Sequence, residues 1–157
     1  MASAQVLVID RDTIYRKILR SCFETDRLRV LEAANITQAR AWLCSQTFAL
    51  ITLDIDLGTG AEDGRALGRE IRNTRDAAIM IVSGTSDRAV RHTALSEFAD
   101  DYVVKPFDAH EVVARSKALL RRVGEKRERP HAVRHDQSEI SAKENGDLSF
   151  HGFRFDL

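Results

Sequence analysis

Six residues carry the chemical interest of this chain: Asp10, Arg11, Asp12, Asp54, Ser83 and Lys105. Four of the points they mark lie at the ends of short apolar runs. Val6-Leu-Val-Ile9 precedes Asp10, residues 48–53 precede Asp54, residues 77–82 precede Ser83, and Tyr102-Val-Val104 precedes Lys105. Short apolar runs rich in β-branched residues read as strands buried on both faces, as in parallel sheets. In an open α/β sheet, ligands bind at the carboxyl ends of the strands, near the switch in strand order. Carboxylates, an ammonium and a hydroxyl gathered at that edge suit phosphoryl chemistry. Mg²⁺ needs only one or two carboxylates and keeps several waters. An Asp carboxylate can attack phosphorus and form an acyl phosphate. A lysine offsets the incoming charge, and Ser83 can donate a hydrogen bond to the new group. Singly, each residue also suits a cap, a turn or a surface charge; their shared position at strand ends is what points to a site.

The elements that must position these residues follow from periodicity. Residues 5–9, 28–33, 48–53 and 77–82, and the segment before Lys105, read as five strands alternating with helices. The first helix, capped by Asp12 or Thr13, is expected to bury Ile14, Ile18, Cys22 and Phe23. The second opens at Asn35 or Thr37 and runs through Ala39 and Leu43. Residues 56–64 hold three glycines and read as an irregular loop. A helix with Leu67 and Ile71 on one face follows, then one over residues 88–97. The last helix, residues 108–123, carries a stripe of Val112, Val113, Ser116, Leu119, Leu120 and Val123. Strands alternating with helices predict an α/β fold, a doubly wound five-stranded parallel sheet covered on both faces by five helices.

The 157 residues suffice for one domain and a tail. Lys+Arg 24 and Asp+Glu 24 cancel, so bulk charge argues for no nucleic-acid or acidic partner. The apolar runs are too short to span a bilayer. Met1-Ala-Ser-Ala-Gln lacks the pattern of a signal peptide, so a cytoplasmic protein without a membrane partner is expected. Cys22 and Cys44 read as small buried apolar residues rather than a disulfide or metal pair. Residues 124–145 are dense in alternating charge and read as a solvated linker. Residues 146–157 alternate apolar and polar like two short strands. A lone hairpin is marginal in water, so the chain reads as a piece of a longer protein.

Val6-Leu-Val-Ile-Asp10, the strand ending at Asp54, Ile81-Val-Ser-Gly84 and Ala99-Asp-Asp-Tyr-Val-Val-Lys-Pro-Phe107 together resemble the successive motifs of response-regulator receiver domains, in the OmpR/PhoB branch. The resemblance covers residues 5–123 and implies a flavodoxin-like fold with strand order 2-1-3-4-5. It implies Asp54 as phosphoacceptor, Lys105 as the phosphate-pairing lysine, Ser83 with Gly84 as the switch and phosphate-binding position, and Tyr102 as the aromatic switch. It implies a cis peptide before Pro106, and Mg²⁺ held by Asp10, Asp54 and the Asp56 carbonyl. A sensor histidine kinase is the implied partner. A homodimer is implied through the fourth helix, fifth strand and last helix, with cross-subunit pairs Arg91–Glu111, Asp101–Arg115 and Asp100–Arg122 around Leu95 and Val113. Residues 146–157 resemble the opening strands of a winged-helix DNA-binding domain, after a receiver at 1–123 and a linker at 124–145. DNA contact would then belong to the absent remainder.

The pattern breaks at Arg11. The family places a second acid there, and an arginine can neither ligate a cation nor lose its charge. Arg11 is expected either to pair with Asp54 and take part of the metal's place, or to leave Asp12 to swing in. The loop after Asp54 lacks the usual proline and is about two residues longer, judged from the distance to Gly64. Three readings follow: a phosphorylation-controlled receiver, not an enzyme; an atypical receiver that dimerises without phosphate because Arg11 neutralises the pocket; and a phosphatase similar to haloacid dehalogenases, with Asp10 as nucleophile and Asp12 as acid/base.

Overall fold

The computed structural model describes residues 3–58 and 64–128. Within them five strands and five helices alternate: β1 (Gln5–Ile9), α1 (Thr13–Thr25), β2 (Arg29–Ala33), α2 (Ile36–Ser45), β3 (Leu50–Leu53), α3 (Gly64–Thr74), β4 (Ala78–Ser83), α4 (Arg88–Glu97), β5 (Asp101–Val104) and α5 (Ala109–Glu128). The strands form one parallel sheet in the order β2-β1-β3-β4-β5, as the motifs imply.

Strand side chains alternate between faces, and here both faces are apolar. Leu7, Ile9, Ile51, Leu53, Ile79 and Ile81 pack on one side with Ile36 and Leu43 of α2, Leu67 and Ile71 of α3, and Ala94 of α4. Val6, Val8, Leu50, Met80 and Val82 pack on the other with Leu19 and Phe23 of α1 and Val112 and Leu119 of α5. The central strands are therefore apolar runs, with Thr52 of β3 the exception before the strand ends. The switch in strand order between β1 and β3 opens the cleft at their carboxyl ends.

The expected helix faces need three corrections. In α1 the buried residues are Leu19 and Phe23, while Ile14 is 68% and Ile18 39% exposed. The inward face is one residue over from the expected stripe and runs through the half-buried Tyr15 and the buried Leu19 and Phe23, so Ile14 and Ile18 turn outward. Cys44 is exposed and Cys22 half-buried; both are free thiols, but neither is a fully buried filler. The last helix does not stop at Val123. It continues through Gly124 to Glu128, because no proline intervenes and the long charged residues there are good helix formers. Its buried residues are Val112, Ser116 and Leu119; Val113, Leu120 and Val123 are half-buried. The rest of the expected linker and the strands at 146–157 lie outside the described residues.

Two local features bear on the cleft. Gly64 opens α3 and donates its N–H to the Ile55 carbonyl at 2.9 Å. A Cβ on Gly64 would overlap the Asp54 carbonyl oxygen and Ile55, so only glycine lets the chain close back on the end of β3. Thr52, in β3, lies between Val8 and Met80 in register, and its buried hydroxyl has no hydrogen-bond partner.

An unpartnered buried hydroxyl costs about 1–3 kcal/mol. Thr52→Val, which keeps the shape, is therefore expected to leave stability unchanged or raise it by about 1 kcal/mol in urea unfolding. Gly64→Ala should lower it by about 1–3 kcal/mol through overpacking. Equal stability of the Gly64→Ala protein would show that the close approach is not required.

Candidate functional site

The parallel ladder sets the height of the site. Past the strands proper, the Asp10 amide donates to the Ala33 carbonyl at 3.1 Å, the Asp54 amide to Ile9 at 2.9 Å, and the Lys105 amide to Ser83 at 2.8 Å. Each polar residue is thus held one step beyond its strand by its neighbour's backbone. The side chains meet. Lys105 Nζ donates to Asp10 Oδ2 at 2.6 Å and to Asp54 Oδ2 at 2.9 Å. The second oxygens are also held: Asp10 Oδ1 accepts the Asp12 amide at 2.8 Å, and Asp54 Oδ1 the Asp56 amide at 3.0 Å. Both carboxylates are buried, as is the lysine side chain at 9% exposure. Lys105–Pro106 is a cis peptide at the end of β5.

A cleft of about 230 Å³ opens over this floor, lined by Asp54, Ser83, Gly84, Thr85, Lys105 and Arg11 among others. Burial pushes the Asp10 carboxyl above its usual value, against the opposing pull of Lys105 and the Asp12 amide. Burial likewise pulls on Lys105, but its bonds to the two carboxylates more than offset this and its pKa ends up raised.

Ser83 is fully buried at the end of β4, where its Oγ accepts the Thr85 amide at 3.3 Å. Tyr102 is buried on the same face of the sheet; its hydroxyl donates to the Thr85 carbonyl at 2.6 Å. Burial raises the pKa of this phenol above the usual 10, against the opposing pull of the Ser83 hydroxyl. The Arg91 guanidinium lies 5.7 Å from the Tyr102 ring centroid. The five residues 10, 54, 83, 102 and 105 therefore gather at one rim. Sequence reasoning missed three contributors. Tyr15 presents its ring 4.3 Å from Lys105 Nζ, one helical turn after Asp12. Arg16 holds the Asp10 carbonyl at 2.7 Å, and Thr85 receives the Tyr102 hydroxyl. Tyr15 and Arg16 were legible only as helix residues, since their targets come from other elements.

Arg11 departs from both expected placements. Its Nη2 donates to Asp56 Oδ2 at 3.0 Å, not to Asp54. Both side chains of this pair are more than half exposed. Asp56 Oδ1 accepts the Gly58 amide at 3.1 Å, and Gly58 has a positive φ of 71°. Asp12 lines the cleft but does not join the Lys105 cluster; its Oδ1 accepts the Ile14 amide at 2.8 Å and caps α1. The floor of the cleft thus keeps two carboxylates against one ammonium, and Arg11 does not neutralise it. The donor set does not fit a Mg²⁺ site. The two floor carboxylates are already bridged by the Lys105 ammonium, and a second cation, Arg11, occupies the position of the further acid. Among the described residues no group of three or more His, Cys, Asp or Glu side chains could hold a metal ion.

Charged residues of the expected dimer face also bond within the chain. Arg115 binds Asp101 at 2.9 and 3.1 Å and Glu111 at 2.8 Å within one chain. Asp100 is bonded by Arg72 and by the Ile79 amide at 2.8 Å. Arg72 also binds the Phe98 and Ala77 carbonyls, which makes this cluster a brace between α3 and the starts of β4 and β5. Leu95 is 41% exposed.

The raised Asp10 pKa fixes a sign. Between 3.8 and the raised folded value, the folded state binds more protons than the unfolded, so stability increases as pH falls. Asp10→Asn removes that slope. Urea unfolding of both proteins across this window should show wild type gaining on the variant toward acid; parallel curves would contradict the assignment.

The chain matches the response regulator receiver domain family over residues 6–117. It is 38% identical over 124 residues to the transcriptional regulatory protein AruR of Pseudomonas aeruginosa, covering 76% of this chain and 50% of that protein. It is 35% identical over 122 residues to ResD of Bacillus subtilis, covering 77% and 50%. The chain spans about half the length of these curated relatives, which are transcriptional regulators. A two-component response regulator from Clostridium difficile superposes with a TM-score of 0.72 at 30% identity, covering 76% of this chain and 98% of that one. NtrX from Brucella abortus gives 0.76 at 25%, covering 81% and 29%. No helix among the described residues is long and apolar enough to cross a membrane. With the sheet order, the bridged carboxylates and these matches together, the chain belongs to the response-regulator receiver domain family.

Proposed function

We propose that Asp54 accepts a phosphoryl group from a sensor histidine kinase, and that the modified domain controls dimerisation and, through a DNA-binding domain of the kind its relatives carry, transcription. The observation that carries this reading is the Lys105 ammonium lodged between Asp10 and Asp54 on the floor of an open cleft. The Asp56 amide holds Asp54 in one orientation through Oδ1. In the transfer, an Asp54 oxygen attacks phosphorus as the donor's bond to phosphorus breaks, leaving an acyl phosphate. Lys105 then pairs with the phosphoryl oxygens. Ser83 and Gly84 lie along the cleft wall, so the new group reaches Ser83 first.

The route outward runs through Tyr102. Its hydroxyl shares Thr85 with the Ser83 hydroxyl, and Arg91 covers its ring. A shift of Ser83 toward phosphate alters both contacts and so the start of α4. The dimer face we propose is α4-β5-α5, with Leu95 and Val113 as its apolar patch. Arg91–Glu111 is its principal cross-subunit pair, with Asp101 and Arg115 exchanging partners. Exposed pairs are individually weak and set register more than affinity. The held Asp100 makes Asp100–Arg122 a minor contributor.

Incubation with a small phosphoramidate, followed by tandem mass spectrometry, should place one phosphoryl group on Asp54, absent from Asp54→Asn. Light scattering should show the mass doubling on modification and staying monomeric for Asp54→Asn. Modification elsewhere, or an unchanged mass, would refute the reading.

A further inference from the structure

The Arg11 guanidinium sits at the mouth of the cleft in an arrangement with no role in holding the fold. Its ion pair with Asp56 is exposed on both sides, and such pairs contribute little to stability. Yet the arrangement is shaped. Gly58 lies directly under the guanidinium: a Cβ there would come within 2.7 Å of Arg11 Nη1. Gly58 is also the residue at positive φ whose amide fixes the Asp56 carboxylate. One carboxylate thus holds both the turn and the arginine. Arg11 shares the cleft lining with Asp54, Ser83 and Lys105.

Charge decides where this arginine goes. Asp10 and Asp54 face one ammonium, so the floor already carries one excess negative charge. Converting Asp54 to an acyl phosphate replaces a single charge by about two. Lys105 cannot balance that alone. Arg11 is the cation along the same cleft, on a long side chain that directly follows Asp10. Asp56 offers it one exposed, monodentate partner at 3.0 Å. A phosphoryl group offers a dianion and a bidentate fit to the guanidinium fork.

We infer that Arg11 is a phosphoryl-binding residue of this receiver: on modification of Asp54 it leaves Asp56 and clamps the phosphoryl oxygens, so that transfer and retention proceed without a divalent ion. This inference rests on Asp54 being the phosphoacceptor. With a low-molecular-weight acyl phosphate as donor, Asp54 Oδ attacks phosphorus and the bond from phosphorus to the acyl oxygen breaks. The carboxylate leaves with that electron pair, and no proton or oxidant is needed. Lys105 and Arg11 together offset the charge on the transferred group.

The test compares phosphoryl incorporation from acetyl phosphate in EDTA and in Mg²⁺ for the wild type, Arg11→Gln, Arg11→Asp and, as a blank, Asp54→Asn. The wild-type rate in EDTA should lie within about twofold of that in Mg²⁺, and Arg11→Gln should be slower by about tenfold or more in EDTA, since removing one preorganised donor has at least that effect. Arg11→Asp, which restores an acid, should be slow in EDTA and recover in Mg²⁺. An independent readout is the Nε–H signal of Arg11 by NMR, which should move when beryllofluoride is added without Mg²⁺. Arg11→Gln reacting as fast as wild type in EDTA, or a wild type that needs Mg²⁺, would overturn the clamp while leaving Asp54 as acceptor. A wild type that takes up no phosphoryl group in either buffer would end both.

Discussion

Everything at the working edge of this domain turns on one ammonium between two carboxylates. Lys105, Asp10 and Asp54 are nearly out of water, and no one of them could be there alone. Removing one partner of such a set leaves an uncompensated buried charge, a loss of several kcal/mol by the general rule of about 3–5. The three charges therefore constrain one another. They also constrain the three strand ends that carry them, because each backbone is tied by a ladder bond to its neighbour. A sheet order of 2-1-3-4-5 brings residues 10 and 54 side by side, and the turn after β5 sends the lysine over to both.

The same arrangement explains why the site is poised rather than settled. Two negative charges against one positive charge leave the floor short of cations. Burial resists the ionisation of Asp10, and the lysine answers only part of that. In a receiver with a further acid at position 11, such a shortfall would be met by a metal. Here the residue in that place brings its own positive charge but keeps it at the rim, on Asp56. Position 11 thus converts a question of metal affinity into one of side-chain choice between two anions.

Much of this was legible in the sequence. The strands were visible as apolar runs because both sheet faces are covered, and the polar residues at their ends stood out against that background. The motif ending in Lys105-Pro-Phe107 carried the family. What was not legible depends on partners from distant elements. The partner of Arg11 is 45 residues away and lies in a loop. Arg72 of α3 reaches Asp100 across 28 residues, and nothing local signals that bond. Ile14 and Ile18 fit a helical stripe, yet the face through Tyr15, Leu19 and Phe23 fits one equally well, and only the packing chooses between them. The charged run from residue 124 read as linker, but long charged residues also continue a helix, and α5 runs on to Glu128.

Among the described residues β5 is the last strand of the sheet, and one of its sides has no neighbour there. A free strand border invites another chain to add to it by backbone hydrogen bonding. This border is only four residues long, opens on the charged Asp101, and is followed by Lys105 and by Pro106, which has no N–H to give. Extension of the sheet across two molecules is thereby discouraged. Any pairing of copies on this side must then be made by helix and side-chain surfaces, which can be loosened or tightened by small rotations, where a continuous intermolecular sheet would be difficult to undo.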